Sequence, residues 1–121
     1  MITKKNIKKE WKNMIFNGFF ALLTMIIAIL LHKKILLATI ILAVISTTGL
    51  IKWNSKATWA IFIFGALFGA ISEMVAISYG VWSYSAINFI NIPSWLFLVW
   101  GNTAMFIYQT GLEIKRLGVR E

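Results

Sequence analysis

Residues 57–79 read ATWAIFIFGALFGAISEMVAISY, an apolar run of 23 residues that carries a single charge, at Glu73. A helix needs about 20 apolar residues to cross the hydrocarbon core of a bilayer. Because lipid cannot hydrogen-bond to free backbone groups, a run of this kind crosses a membrane as an α-helix. The stretch therefore predicts a transmembrane helix.

Three further apolar runs, at about 14–31, 35–53 and 95–112, predict three more transmembrane helices. The composition agrees with this reading. Hydrophobic residues make up 60% of the 121 residues and charged residues 13%, whereas soluble domains carry about 25% charged residues. The expected fold is an all-α integral membrane protein, with residues 1–121 forming a single transmembrane domain of four helices.

The distribution of lysine and arginine predicts the orientation of these helices. With four crossings, the two termini and the 52–56 loop share one side of the membrane. The ten basic residues on that side are Lys4, Lys5, Lys8, Lys9, Lys12, Lys52, Lys56, Lys115, Arg116 and Arg120. The other side carries Lys33 and Lys34. Because basic residues collect in cytoplasmic loops, we expect a cell-membrane protein with both termini in the cytoplasm.

Residues 2–12 predict a short basic helix that lies on the membrane surface before the first crossing. The residues expected to anchor it at anionic headgroups and at the interface are Lys4, Lys5, Lys8, Lys9 and Trp11. Ordinary flanking charge is the alternative interpretation. The net charge of +8 also raises nucleic acid as a partner, but no basic stripe interleaves with exposed aromatics. We therefore expect membrane lipids and no nucleic acid as partners.

Several kinds of catalytic and binding chemistry are excluded by composition. The chain has no cysteine, no aspartate and one histidine, His32. It therefore cannot form a disulfide, a sulfur metal site or a Ser-His-Asp triad. We expect no metal site and no cofactor.

Glu73 is the candidate functional residue. An ionisable side chain at the centre of a membrane helix costs about 2.5–3.5 kcal/mol and usually faces the bundle interior. Helical periodicity places a face of small residues beside it, and such a face lets another helix approach closely. The residues of this face are Gly65, Gly69, Ser72 and Ala76. Glu73 is expected to point at a neighbouring helix, either as an acid or proton carrier or as a carboxyl that locks two helices together.

The fourth segment offers a partner for Glu73. Its polar stripe consists of Trp95, Asn102, Gln109 and Glu113, which share one side of a helix. Asn102 lies seven residues inside Trp95, and Glu73 lies six residues inside Tyr79, so both are about 10 Å from the outer boundary. We therefore expect Glu73 and Asn102 to lie within hydrogen-bond or one-water reach.

The connection between the last two segments, residues 80–94, carries no charge and is rich in aromatic residues. We expect this outer loop to lie in the interface or to fold back over the bundle. Its residues Trp82 and Tyr84, with Trp95 just beyond, are interpreted in two ways. They form either an aromatic belt at headgroup level or an aromatic-lined mouth over Glu73 that binds an apolar or cationic ligand.

Residues 73–101 carry the pattern Glu73-x6-Gly80-x-Trp82-x-Tyr84, followed by Pro93-x-Trp95. This pattern resembles one in small polytopic membrane proteins of carotenoid metabolism, of the carotenoid hydratase and lycopene cyclase types. It is also similar to uncharacterised small membrane proteins of prokaryotes. The resemblance implies that Glu73 protonates a polyene while Trp82 and Tyr84 stabilise a carbocation. It departs from the cyclases, in which paired acids are expected after the proline, because Ser94 follows Pro93 here.

The sequence leaves three functions open. The lack of a catalytic set favours a non-catalytic helical-bundle subunit or scaffold that packs against partner membrane proteins or lipids. The resemblance suggests an enzyme or binder of isoprenoid or carotenoid lipids with Glu73 as the acid. Small multidrug transporters share the four spans and a single membrane glutamate, although theirs lies in the first span, which suggests a dimeric proton-coupled transporter. A homo-oligomer or a larger membrane complex is expected in each case.

Overall fold

The computed structural model describes residues 1–120, which form four α-helices. The helices are α1 (Lys4–Leu31), α2 (Ile35–Lys52), α3 (Lys56–Ser78) and α4 (Trp95–Arg116). Short turns join the first three helices, and the loop at 80–94 joins α3 to α4. Extended pairing within residues 1–120 is limited to one isolated bridge, between Phe89 and Ile92. The predicted all-α fold with four helices is confirmed.

Three of the helices, α1, α2 and α3, are long and apolar enough to cross a membrane, which indicates a membrane protein. The fourth helix, α4, does not share this composition. It has 22 residues, but Asn102, Gln109 and Glu113 interrupt its apolar sequence. Its place in the bundle explains why these polar residues are tolerated.

The basic N-terminal segment is part of α1, and the prediction of a separate interfacial helix is wrong. The helix runs without a break for 28 residues, about 42 Å at 1.5 Å per residue, because no proline interrupts it. Thr3 caps its start by accepting a hydrogen bond from the backbone N–H of Asn6, at 3.1 Å. The predicted anchor residues are solvent-exposed positions of its first three turns, namely Lys4, Lys5, Lys8, Lys9 and Trp11.

The helix α4, which is not among the three candidate membrane spans, is the centre of the bundle and packs against each of the other three. Its buried side chains include Trp95, Leu96, Met105 and all three polar residues that interrupt its apolar sequence. These polar groups are therefore surrounded by protein, while side chains such as Ile107 and Ile114 are exposed on the outside of the helix.

Two buried hydrogen-bond layers tie α4 to its neighbours. Asn102 Nδ2 donates to Thr24 Oγ1 of α1 at 3.2 Å, and Ser46 Oγ of α2 donates to Asn102 Oδ1 at 2.6 Å. Nearer the termini, Gln109 Nε2 donates to Thr58 Oγ1 of α3 at 2.9 Å. Asn102 thus ties α4 to α1 and α2, and Gln109 ties it to α3, because a buried amide left without partners is unfavourable.

The closest packing occurs between α3 and α4, where two glycines of α3 leave room for side chains of α4. A Cβ atom at Gly65 would lie 2.3 Å from the Cβ of Ala104, and one at Gly69 would lie 2.2 Å from the indole of Trp100. Of the other small residues on this helix, Ser72 is exposed and bonds to the carbonyl of Phe68 at 2.7 Å. Ala76 is half-buried.

Both termini lie at the same end of the bundle. Asn6 Nδ2 donates to the carbonyl oxygen of Leu117 at 3.0 Å, and the amino group of Met1 donates to the carbonyl of Gly118. Gly118 has a φ of +107°, and a Cβ there would lie 2.2 Å from the carbonyl oxygen of Met1. This position therefore suits glycine on both conformational and steric grounds.

We predict that Gly69→Ala destabilises the bundle by about 1–3 kcal/mol, because the added methyl overlaps the rigid indole of Trp100. The measurement is the free energy of unfolding in mixed micelles with increasing denaturing detergent, followed by tryptophan fluorescence. The matched control is Gly111→Ala on α4, where an added Cβ meets nothing within 4 Å. That variant is expected to be neutral or slightly stabilised, since alanine is the better helix former. Equal effects of the two substitutions would contradict the prediction.

Candidate functional site

Glu73 is half-buried and is surrounded by hydrogen-bond donors from three aromatic side chains. Trp82 Nε1 donates to Glu73 Oε1 at 3.3 Å, and the hydroxyl of Tyr84 donates to the same oxygen. Trp100 Nε1 of α4 donates to the other oxygen, Oε2. We call these four residues the glutamate cage. It joins α3, the outer loop and α4 at one point.

The turn after α3 brings the loop residues of the cage into place. Gly80 has a φ of +79°, a conformation that glycine adopts without strain, and it reverses the chain at the end of the helix. The N–H of Val81 then bonds back to the carbonyl of Ala76 at 3.1 Å. With the chain reversed, Trp82 and Tyr84 reach back to Glu73 from the end of the same helix.

The remainder of the loop is held against the bundle by its own polar side chains. Asn88 Oδ1 accepts a hydrogen bond from the backbone N–H of Ser94 at 2.7 Å, and Asn91 Nδ2 donates to the carbonyl of Met74 at 3.1 Å. The side chain of Ile92 is fully buried. The loop thus folds back over the end of α3, which is one of the two arrangements expected from its lack of charge.

Tyr84 also contacts a second aromatic residue of the predicted set, Trp95. The two rings meet edge to face with centroids 5.8 Å apart, and Trp95 Nε1 donates to the carbonyl of His32 at 3.3 Å. Burial raises the pKa of Tyr84 above its ordinary value, and the hydrogen bond to Glu73 and the negative charge of Glu73 raise it further. A hollow of about 470 Å³ lies beside these residues and is lined by Ala28, Ile29, His32, Ser83, Tyr84, Ser85 and Trp95.

The structure does not pair Glu73 with Asn102, and that prediction is wrong. Glu73 contacts Trp100 on α4, whereas Asn102 bonds to α1 and α2. Trp100 and Asn102 are two residues apart and therefore point about 200° apart around α4. Trp100 and Asn102 therefore use opposite sides of α4, and Glu73 meets the side that carries Trp100. Gln109 likewise contacts Thr58 rather than the glutamate cage.

The donors of the glutamate cage match the hydrogen-bonding needs of an ionised carboxylate at Glu73. An ionised carboxylate only accepts hydrogen bonds, and the indole N–H groups of Trp82 and Trp100 only donate. The arrangement therefore fixes the loop and α4 to α3 through one acidic side chain. Trp100 is the member of the glutamate cage that the sequence did not predict. Its role could have been inferred from Gly65 and Gly69, because a groove of small residues accommodates a large side chain on the facing helix.

A second acidic cluster, which was not predicted, lies at the opposite end of the bundle. Arg116 joins two buried carboxylates, with Nη2 at 2.6 Å from Glu113 Oε2 and Nε at 3.4 Å from Glu10 Oε2. Asn13 Nδ2 also donates to Glu10 Oε2, at 2.9 Å. We call Glu10 and Glu113 the carboxylate pair. Two signals for it were present in the sequence, since Glu10 is the acid within a basic run and Glu113 continues the polar stripe of α4.

The described part of the chain contains no group of three or more histidine, cysteine or acidic residues that could hold a metal ion. Comparison with models of protein families, with curated proteins and with solved structures finds no match to this chain. The roles of the glutamate cage and the carboxylate pair are therefore argued from their geometry and chemistry.

We predict that Glu73→Gln lowers the pKa of Tyr84 toward its ordinary value without restoring it fully. The substitution removes the negative charge and weakens the hydrogen bond, which both raise this pKa, but it leaves the burial that raises it most. The measurement is an alkaline titration of tyrosinate absorbance, with Tyr84→Phe identifying the transition that belongs to Tyr84. Trp100→Phe keeps the charge of Glu73 and serves as the matched control, with a smaller expected shift. An unchanged Tyr84 transition in Glu73→Gln would contradict the interaction.

Proposed function

We propose that this protein is a non-catalytic membrane subunit, a bundle that crosses the membrane four times with both termini in the cytoplasm. Its α3 flank packs against another membrane-spanning chain. The observation that carries this proposal is the one-sided packing of α3, which lies mainly against α4 and leaves an aromatic ridge exposed. Phe64 and Phe68 stack on this ridge with ring centroids 5.4 Å apart and are 66% and 64% exposed.

Burial of polar groups supports α4 as the fourth crossing. Its amide and carboxyl side chains face the other three helices, so its outside presents mainly apolar residues, among them Ile107 and Ile114. The meeting of the two termini at one end of the bundle suits an even number of crossings. The excess of lysine and arginine at that end favours its cytoplasmic placement.

The glutamate cage favours a structural role for Glu73. Both carboxylate oxygens already accept hydrogen bonds from the chain's own side chains, at Oε1 from Trp82 and Tyr84 and at Oε2 from Trp100. A proton carrier or general acid must exchange protons with a substrate or with water. A carboxylate enclosed by these donors is better suited to fixing the loop to the helices.

The partner that best fits the α3 flank is a second copy of this chain. The ridge of Phe64 and Phe68 borders a groove of about 300 Å³ whose lining includes Gly65, Gly69 and Trp100. A ridge and a groove on the same face are self-complementary, as a two-fold symmetric dimer requires.

A second candidate is the binding or conversion of an isoprenoid lipid. The hollow of about 470 Å³ beside Tyr84 and Trp95 favours it, because apolar ligands occupy concave sites lined by aromatic side chains. Its test is absorption spectroscopy of protein purified from membranes that contain a polyene. This candidate requires bound pigment in the wild type and its loss in Trp95→Ala, and colourless wild-type protein would reject it.

The subunit proposal is tested by cross-linking in membranes, which the absence of native cysteine makes free of background. We expect Phe64→Cys to give a cross-linked dimer with a short bis-maleimide. The reason is that two ridges, each lying in the groove of the other copy, are side by side next to the proposed symmetry axis. The yield should stay the same when the protein is diluted with lipid, because a stable dimer does not depend on random collisions.

The matched control is Val44→Cys on α2. Phe64 lies eight residues after Lys56, where α3 begins, and Val44 lies eight residues before Lys52, where α2 ends. The two positions are therefore equally far from the turn that joins these helices. Val44 is 61% exposed, which is similar to Phe64. This control is expected to remain monomeric. Equal cross-linking of the two variants, or a monomer in both, would contradict the proposed dimer.

A further inference from the structure

A cleft opens between α1 and α4 at the end of the bundle where the termini meet. Its volume is about 250 Å³, and its apolar walls are formed mainly by Met14, Phe106, Ile114 and Leu117. The same cleft is also lined by Asn17 of α1 and Glu113 of α4. It therefore combines an apolar surface with two polar side chains.

Two polar atoms on these side chains are not satisfied by the protein. Asn17 and Glu113 are 5% and 4% exposed, so both are almost fully buried. Across residues 1–120, neither Asn17 Oδ1 nor Glu113 Oε1 receives a hydrogen bond. A buried acceptor without a donor is unfavourable, and most such atoms in native proteins are paired. Two of them lining one cleft indicate a missing donor.

The charge of the surroundings indicates what kind of donor fits. The guanidinium of Arg116 contacts the Oε2 atoms of both members of the carboxylate pair, Glu10 and Glu113. Asn13 also donates to the Oε2 atom of Glu10. Two buried carboxylates thus share contact with one guanidinium. They also lie within hydrogen-bond reach of each other, and the charge of Lys9 acts on Glu10. Glu113 Oε1 has no donor among the described residues. A second positive charge that carries N–H groups would complete this arrangement.

The apolar walls indicate what the positive group is attached to. A primary ammonium has N–H donors that can bond to the two orphan acceptors together. An alkyl chain attached to it would lie along Met14 and Phe106 of the cleft wall. A small hydrated inorganic cation would leave these walls without a partner.

We propose that the cleft between α1 and α4 binds the primary ammonium group of an amphiphile. The ammonium donates to Asn17 Oδ1 and Glu113 Oε1, and the alkyl chain packs against the apolar walls. The ligand is either a bilayer lipid with an ethanolamine head group or a free alkylamine, since both present the same group. This site is separate from the α3 flank and does not depend on the proposed dimer.

The test compares three probes with the same alkyl chain on the wild-type protein in phosphatidylcholine nanodiscs, whose head groups carry no N–H. The probes are dodecylammonium, dodecyltrimethylammonium and dodecanol, and the measurement is the shift in thermal unfolding temperature with probe concentration. We expect dodecylammonium to bind at least about tenfold more tightly than the other two, because the trimethylated probe cannot donate and the alcohol carries no charge. Equal affinity of all three probes would overturn the proposal.

Two substitutions locate the binding. Asn17→Leu and Glu113→Gln are each expected to remove the preference for dodecylammonium over dodecyltrimethylammonium. The control for the first is Asn54→Leu, the same exchange at an exposed position in the turn between α2 and α3, which should keep the preference. If Glu113→Gln fails to fold, Asn17→Leu and the wild-type probe series still decide the matter. A preference that survives Asn17→Leu would overturn the assignment.

Two further measurements separate the possible sources of the missing donor. Competition by phosphatidylethanolamine in the nanodisc would identify a bilayer lipid as the ligand, whereas tight dodecylammonium binding without competition would identify a free amphiphile. The wild type could instead show the infrared band of a protonated carboxyl, lost in Glu113→Gln, and no preference among the three probes. That combination would show that Glu113 is protonated and needs no ligand as a donor. That result would overturn the proposal.

Discussion

The structure depends on one constraint, which is that the polar side chains of α4 must find partners inside an otherwise apolar bundle. Asn102 meets this constraint by bonding to Thr24 and Ser46, and Gln109 meets it by bonding to Thr58. These partners lie on three different helices. Because a buried amide cannot turn to water, the bonds fix which helix lies where around α4, and the apolar contacts then fill the remaining space.

This constraint explains why α4, whose apolar sequence is interrupted by polar residues, occupies the centre. A helix that carries Asn102, Gln109 and Glu113 is poorly suited to lipid on that side, but it is well suited to a position among other helices. The three apolar helices take the outer positions, where their exposed side chains need no hydrogen-bond partners. The glycines of α3 add a second condition, since Gly65 and Gly69 let this helix approach α4 more closely than side chains would allow.

The sequence was sufficient for features that depend on one segment at a time. It predicted the four helices and, as one of two alternatives, a loop that folds back over the bundle, because apolar length and the absence of charge are local properties. It was insufficient for contacts between segments. Equal depth suggested that Glu73 meets Asn102, but the rotation of α3 against α4 places Trp100 there instead. The unbroken α1 was missed for a different reason, since a change in composition near residue 12 does not end a helix.

The two acidic sites differ in how completely the protein satisfies their hydrogen bonds, and this difference bears on where a ligand binds. At Glu73, donors from Trp82, Tyr84 and Trp100 reach both oxygens, so a ligand would have to displace a bond that already exists. At Glu113, one oxygen is bound by Arg116 and the other has no donor among the described residues. A ligand that donates there gains a hydrogen bond without breaking one. On physical grounds the carboxylate pair is therefore the better place to look for a bound ligand, although Glu73 is the more conspicuous residue in the sequence.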